Sequence, residues 1–327
     1  MKKIAITMGD PGGIGPEIVV KALYCAEIRQ YCSPIVIGDV DIIREAVKIT
    51  GLPLKPRTTV VRGSLLDLKS GVGRIDVLDI KSPFPFRKGV PSAEAGRVVV
   101  SCVKIAVELA LKKEVIAIVT APVSKESLAL AGYPWHGHTE LLSELTETED
   151  FAMMFVCKKL KIILATIHVP IKDVAQMINK SLVLKTISLA KKGADMLGIK
   201  NPRIAVAGLN PHAGEGGIMG DEEIKSITPA IEEAQGKGVS VSGPYPPDTV
   251  FYRALRGDFD MIVCMYHDQG LIPFKMLDFE HGVNVTVGLP IIRTSPDHGT
   301  AFDIAWKNMA NPSSMLSAIK LAAKLKL

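Results

Sequence analysis

The sequence predicts an α/β fold with a largely parallel sheet, and three observations carry that reading. Short runs that are apolar at nearly every residue alternate along the chain with longer runs of helical period. Strands of that kind are buried on both faces, and their alternation with helices implies βαβ crossovers. The chain has 327 residues, 47% of them hydrophobic, which is enough for two domains or one large α/β unit.

Taken in order, the first strand is Lys3–Met8, followed by a glycine-rich turn and a helix over Gly15–Gln30. Further strands are expected at Pro34–Gly38, Arg74–Ile80, Val115–Thr120, Ala152–Cys157, Ile162–Ile167, Arg203–Ala207, Met261–Met265 and Val283–Val287. Helices are expected at Ala93–Lys113, Leu182–Leu197, Asp221–Lys237 and Ser313–Leu325, with a shorter one at Ala301–Lys307. The stretch Lys81–Pro91, with Pro83, Pro85 and Pro91, reads as a long exposed loop. A seam near Gly132–Gly137 and a return near Gly288–Ser295 give a discontinuous first α/β domain, 1–136 plus 290–327, and a second α/β domain, 137–289. No internal repeat or low-complexity segment is present.

Composition narrows the function. The net charge of +5 is spread over 39 basic and 34 acidic residues, and no basic block interleaves with aromatics, so nucleic acid is not an expected partner. The apolar stretch Ile4–Met8 is too short for a signal peptide, and no window reaches transmembrane length without charge or proline. The five cysteines form no CxxC pair, and several sit in apolar runs as buried free thiols would in a reducing compartment. A cytoplasmic protein without membrane contact is the expectation.

The chemistry gathers in three places. His168, His212 and His267 each follow a predicted strand, and in open parallel sheets ligands bind where loops leave the carboxyl ends. Three imidazoles there could hold a divalent ion and leave a position open for substrate, although a single loop histidine is more often just hydrogen-bonded. Asp268 and Glu215 are placed to fix imidazole tautomers. The turn Gly9-Asp10-Pro11-Gly12-Gly13-Ile14-Gly15-Pro16 departs from the G-x-G-x-x-G spacing. Its glycines suit a ligand approaching a helix N-terminus, and almost equally a tight turn with Pro16 in the first helical turn. The third group is His138 and Thr139 at a helix start, with Lys275, Asn284 and Arg293. A phosphate would find backbone donors at such a start, a point charge in Lys275 and a bidentate partner in Arg293.

These residues lie in segments that resemble the 4-hydroxythreonine-4-phosphate dehydrogenase family of pyridoxine biosynthesis, with its relatives the D-threonate and D-erythronate 4-phosphate dehydrogenases. The matching segments are Ala5–Glu17 (AITMGDPGGIGPE), Gly137–Glu140 (GHTE), Asn210–Glu215 (NPHAGE), Pro246–Phe251 (PPDTVF), Tyr266–Gly270 (YHDQG) and Gly288–Asp303, nearly end to end. The resemblance implies an isocitrate/isopropylmalate dehydrogenase-like fold, with two α/β/α domains and a cleft between them. It implies His168, His212 and His267 as ligands of one divalent ion (Zn, Co or Mg), and His138, Thr139, Lys275, Asn284 and Arg293 as substrate contacts, so that the second domain carries most of the site. It also implies a homodimer with the active site at the subunit interface, His267 reaching the partner's metal. NAD or NADP would be the oxidant, with Thr286, Asp297 and Asp303 as candidate cofactor residues. The implied reaction is oxidation of 4-phosphooxy-L-threonine to 2-amino-3-oxo-4-phosphooxybutanoate, which decarboxylates to 3-amino-2-oxopropyl phosphate. D-threonate or D-erythronate 4-phosphate is the alternative substrate, and a non-catalytic metal- or ligand-binding protein of the same fold is the alternative of another class. No residue is singled out as the general base.

Overall fold

The computed structural model describes every residue except 60, 63, 64, 67–70, 72 and 83–86. Along the first segment run β1 (Lys3–Thr7), α1 (Gly15–Tyr24), α2 (Ile28–Tyr31), β2 (Ser33–Gly38), α3 (Val40–Thr50), β3 (Lys55–Thr59), β4 (Val61–Arg62), β5 (Leu65–Leu66), β6 (Arg74–Asp79), α4 (Ala93–Leu111), β7 (Ala117–Thr120), α5 (Lys125–Leu130) and α6 (His138–Leu145). The middle segment holds β8 (Ala152–Val156), β9 (Lys161–Leu164), α7 (Ile171–Met177), α8 (Lys180–Met196), β10 (Ile204–Ala207), α9 (Thr228–Gly236), β11 (Val241–Tyr245), α10 (Pro247–Leu255), β12 (Met261–Cys264), α11 (His267–Leu277) and β13 (Val283–Val287). The chain closes with β14 (Ile292–Pro296) and α12 (Ser313–Ala322).

Two compact units result: Met1–Glu149 with Leu289–Leu325 and Leu327, and Asp150–Gly288 with Lys326. The sequence expectation puts the crossings at 136/137 and 289/290. In the structure α6 packs against α4, which groups residues 137–149 with the first unit.

In the first unit the sheet order is β14-β7-β1-β2-β6-β3, parallel throughout. Ile4, Ala5 and Ile6 in β1 and Ala117, Ile118 and Val119 in β7 are fully buried, as strands covered on both faces must be. The second unit has the order β11-β10-β12-β9-β8-β13. Strands β11, β10, β12 and β9 are parallel, whereas β8 runs antiparallel to both β9 and β13. The sheet is therefore mixed there. Only residues 157–160 join β8 to β9, with the Cys157 amide donating to the Leu160 carbonyl at 3.0 Å. So short a connection makes a hairpin and cannot make a parallel crossover.

Several elements differ from expectation. Helix α1 ends at Tyr24, where Cys25 turns extended, and α2 is a separate turn. The predicted helix Ala301–Lys307 is a series of turns, with Ala301, Trp306 and Asn308 at positive φ. Left-handed backbone at those positions breaks an α-helix. Helix α3 went unpredicted despite its Asp39 N-cap, which accepts from the Asp41 and Ile42 amides, and its left-handed Gly51. Of the Lys81–Pro91 loop, Pro83 and Pro85 lie outside the described residues, and 88–90 are turn and bend. Cys32, Cys102, Cys157 and Cys264 are buried and Cys25 half-buried, all as free thiols, and burial pushes the Cys32 thiol up to about 11.

Candidate active site

Strands β10, β12 and β9 are adjacent and parallel, and His212, His267 and His168 follow them in that order. All three histidines thus leave the carboxyl edge of the second unit's sheet. The neighbouring pair β12 and β9 brings His267 and His168 together, with ring centroids 5.8 Å apart. They line a cavity of about 530 Å³ with Ile167, Val174, Tyr266 and Asp268. His212 is not gathered with them: among the described residues, no group of three or more His, Cys, Asp or Glu side chains is arranged to hold a metal ion.

The acidic neighbours sit where tautomer control requires. His267 Nδ1 lies 2.7 Å from Asp268 Oδ1, and His212 Nδ1 lies 2.9 Å from Glu215 Oε2. A carboxylate at Nδ1 accepts the hydrogen bond from Nδ1–H, which holds the proton on that nitrogen and leaves the Nε2 lone pair for a ligand. The backbone around His212 is unusual. His212, Ala213, Gly214, Glu215 and Gly216 all have φ between 43° and 82°. For non-glycine residues this conformation costs on the order of 1–3 kcal/mol each and persists only where surrounding contacts over-determine it.

The first unit supplies a second cluster around Thr120, the last residue of β7. Arg293, on β14, pairs with Ile118 of β7, and its side chain is 3% exposed. Its Nε and Nη2 donate to Thr120 Oγ1 at 3.1 and 2.8 Å. Burial lowers the guanidinium pKa to about 10, with Glu140 opposing the shift, so Arg293 is charged at neutral pH. His138 and Thr139 open α6, are both buried, and stand at an N-terminus without a side-chain cap. Burial, helped by the Arg293 charge, holds the His138 pKa well below the usual imidazole range. His138 is therefore neutral at neutral pH, and charge is not what it offers an anion. Its buried Nε2 has no hydrogen-bond partner among the described residues.

Of the remaining candidates, Lys275 lies in the last turn of α11, its Nζ 5.8 Å from the centre of the Phe279 ring. Asn284 on β13 is buried, and its Oδ1 accepts no hydrogen bond from the described residues. Thr286 is fully enclosed within β13. The Asp297 amide donates to the Ser314 hydroxyl oxygen at 3.2 Å, and Asp303 is exposed. Thr286 belongs to the second unit, whereas Asp297 and Asp303 belong to the first.

A family model described as pyridoxal phosphate biosynthetic protein PdxA matches residues 30–322. The chain belongs to the PdxA family. A 4-hydroxythreonine-4-phosphate dehydrogenase of Desulforapulum autotrophicum is 46% identical over 327 residues, covering 98% of this chain and 94% of its own. A D-threonate 4-phosphate dehydrogenase of Pectobacterium atrosepticum is 45% identical over 326 residues, covering 99% of each. The crystal structure of a 4-hydroxythreonine-4-phosphate dehydrogenase from Klebsiella pneumoniae is 44% identical and superposes with a TM-score of 0.89, over 99% of this chain and 98% of that one.

In this PdxA family member the glycine-rich turn is filled by protein. A Cβ on Gly12 would stand 2.5 Å from the Val90 carbonyl, one on Gly13 2.8 Å from that of Thr300, and one on Gly15 2.3 Å from that of Met8. Asp10 is buried, accepting from the Gly12 amide at 2.8 Å and the Ser127 hydroxyl at 2.6 Å, and burial raises its pKa. The tight-turn reading of this segment, with Pro16 in the first turn of α1, accounts for its glycines. Thr120 and Glu140 were missed as members of the Arg293 cluster. Thr120 closes a predicted strand and Glu140 stands in the quoted GHTE segment, yet only the neighbouring strand β14 shows why they matter.

Proposed function

We propose that this protein is a metal-dependent, NAD(P)-linked dehydrogenase acting on 4-phosphooxy-L-threonine. The product would be 2-amino-3-oxo-4-phosphooxybutanoate, a β-keto acid that decarboxylates readily to 3-amino-2-oxopropyl phosphate in pyridoxal phosphate biosynthesis. The observation that carries the reading is the buried, charged Arg293 beside the uncapped start of α6, a pair suited to a phosphate or carboxylate. Names of relatives at about equal identity favour a second substrate, D-threonate 4-phosphate, with D-erythronate 4-phosphate beside it.

In this reading Arg293, His138 and the first amides of α6 hold the substrate's anionic end, with neutral His138 giving a hydrogen bond in place of charge. Lys275 contributes a positive point charge, and Asn284 contributes as an acceptor its Oδ1, which has no partner among the described residues. This reading assigns His168, His212 and His267 to a borderline divalent ion: one chain gathers only the first and last of them, and the carboxylates at Nδ1 of His212 and His267 suit Nε2 for a ligand bond. When bound, such an ion supplies Lewis-acid polarisation at the hydroxyl oxygen, and a nicotinamide dinucleotide accepts the hydride. Thr286, Asp297 and Asp303 remain candidates for the cofactor side, though the full burial of Thr286 in β13 argues against direct contact.

We further propose a homodimer with the active site at the subunit interface. Ile272 and Met276, one turn apart on α11 after His267, are 59% and 84% exposed, and Ile218 beyond His212 is 82% exposed. A second copy covering them would remove that apolar surface from water.

The deciding experiment is steady-state kcat/KM for 4-phosphooxy-L-threonine, D-threonate 4-phosphate and D-erythronate 4-phosphate, with NAD⁺ and NADP⁺, before and after chelation. A hundredfold preference for a sugar acid, about 2.7 kcal/mol in transition-state binding, would overturn the substrate choice. Absence of turnover with all three would overturn the dehydrogenase reading.

A further inference from the structure

Glu223 lies outside every motif singled out from the sequence. It opens a π-helical turn, Glu223–Ile227, and its side chain is only 3% exposed. Oε1 accepts hydrogen bonds from the Leu209 and Asn210 amides at 2.7 and 2.8 Å, and Oε2 accepts one from Asn210 Nδ2 at 2.9 Å. These donors stand where the chain leaves β10 and enters the left-handed run that begins at His212. The loop also closes tightly around the carboxylate. A Cβ on Gly214 would come within 2.7 Å of Oε2, and one on Gly208 within 3.1 Å of Oε1.

Burying a carboxylate is unfavourable unless strong donors replace its water. Among the described residues no lysine or arginine forms an ion pair with Glu223, so the loop's own amides and the Asn210 side chain do that work. The same bonds explain how a run of left-handed residues keeps a single conformation: its entry is clamped by charge-assisted hydrogen bonds. Gln269, buried on α11, fixes the residue before it. Its Nε2 donates to the Gly208 carbonyl at 2.7 Å, while its Oε1 accepts from the Met265 amide at 2.7 Å.

We infer that Glu223 is a positioning residue that fixes the His212 loop, and with it the His212 imidazole, through the Leu209 and Asn210 amides. The inference deepens the proposed function and rests on its reading of His212 as a metal ligand.

The test uses the full-length protein as wild type, Glu223→Ala, Glu223→Gln and Glu223→Asp. It reads amide hydrogen exchange by mass spectrometry and binding of Co²⁺ alone by calorimetry. Glu223→Ala should speed exchange in residues 208–217 without changing the rest of the chain, and weaken Co²⁺ binding about tenfold or more. Glu223→Gln, which keeps one oxygen for the two amides, should stay close to wild type in both. Unchanged exchange over 208–217 in Glu223→Ala, or loosened exchange with wild-type Co²⁺ affinity, would overturn the inference. If Glu223→Ala does not fold, Glu223→Asp takes its place, because the shorter side chain withdraws the acceptors from the amides. Failure of the wild type to bind Co²⁺ would overturn the metal reading of His212 instead, and the exchange comparison would still decide whether Glu223 fixes the loop.

Discussion

Arg293 and Thr120 meet through two hydrogen bonds to one atom: Nε and Nη2 of the guanidinium both donate to the Thr120 hydroxyl, at 3.1 and 2.8 Å. Both residues are buried, on adjacent parallel strands. The hydroxyl is neutral, so these two bonds orient the guanidinium without cancelling its charge. Replacing Arg293 by lysine keeps a charge but loses the planar fork. On the proposed function, Arg293→Lys lowers kcat/KM for the phosphorylated substrate by about a hundredfold, ~2.7 kcal/mol, in steady-state assays. Thr120→Val removes the acceptor of both bonds and lowers unfolding free energy by about 1–3 kcal/mol in a denaturant titration.

His138 gives a pH signature. Its pKa in the folded protein is depressed by burial and by Arg293, while the unfolded chain titrates near the ordinary imidazole value of about 6.5. Above that value both states are neutral and the contribution to stability is fully present. As pH falls below it, the unfolded chain binds the proton first, and stability is lost down through the depressed folded value. Denaturant midpoints should therefore drop more steeply below pH 6.5 in the wild type than in His138→Asn. Equal slopes would show that His138 is not held neutral.

The metal reading predicts that alanine at His168, His212 or His267 abolishes activity, and that chelation does so reversibly. Full activity in His212→Ala would remove His212 from the site.

The dimer proposal predicts complementation. Mixing inactive His168→Ala and His267→Ala subunits should restore activity if His267 serves the partner's site, because each mixed dimer then holds one intact site. Mixed dimers demonstrated by native mass spectrometry but lacking activity would refute the shared arrangement.

Glu17 predicts a stability effect that can be read without any ligand. Fully buried in α1, it accepts from the Trp306 amide at 2.9 Å and the Asn308 amide at 2.7 Å. Glu17→Ala removes the acceptor that both amides use, so unfolding free energy should fall by about 2–4 kcal/mol, read from urea unfolding.

The sequence by itself determined the α/β class and the core strands, because runs such as Ile4–Ile6, Ile204–Ala207 and Met261–Cys264 are apolar on both faces and can only be buried. It also pointed to histidines at strand ends, since a histidine directly after such a run must stand at the sheet's carboxyl edge. Strand direction was decided elsewhere. A strand's own residues do not record the direction of its neighbour, and β8 is turned antiparallel by its short link to β9. Polar strands were hidden too: β3 (KPRTT) lies at a sheet edge, and β14 (IRTSP) is buried with hydroxyls and a guanidinium that find partners only across the fold. Glu223 and Thr120 gain their places in the same way. Each bonds a group distant in the chain, 13 and 14 residues away for the amides of Glu223 and 173 for Thr120 and Arg293. Local periodicity reports which face of an element is apolar, whereas hydrogen bonds of that separation exist only once the strands have been brought side by side.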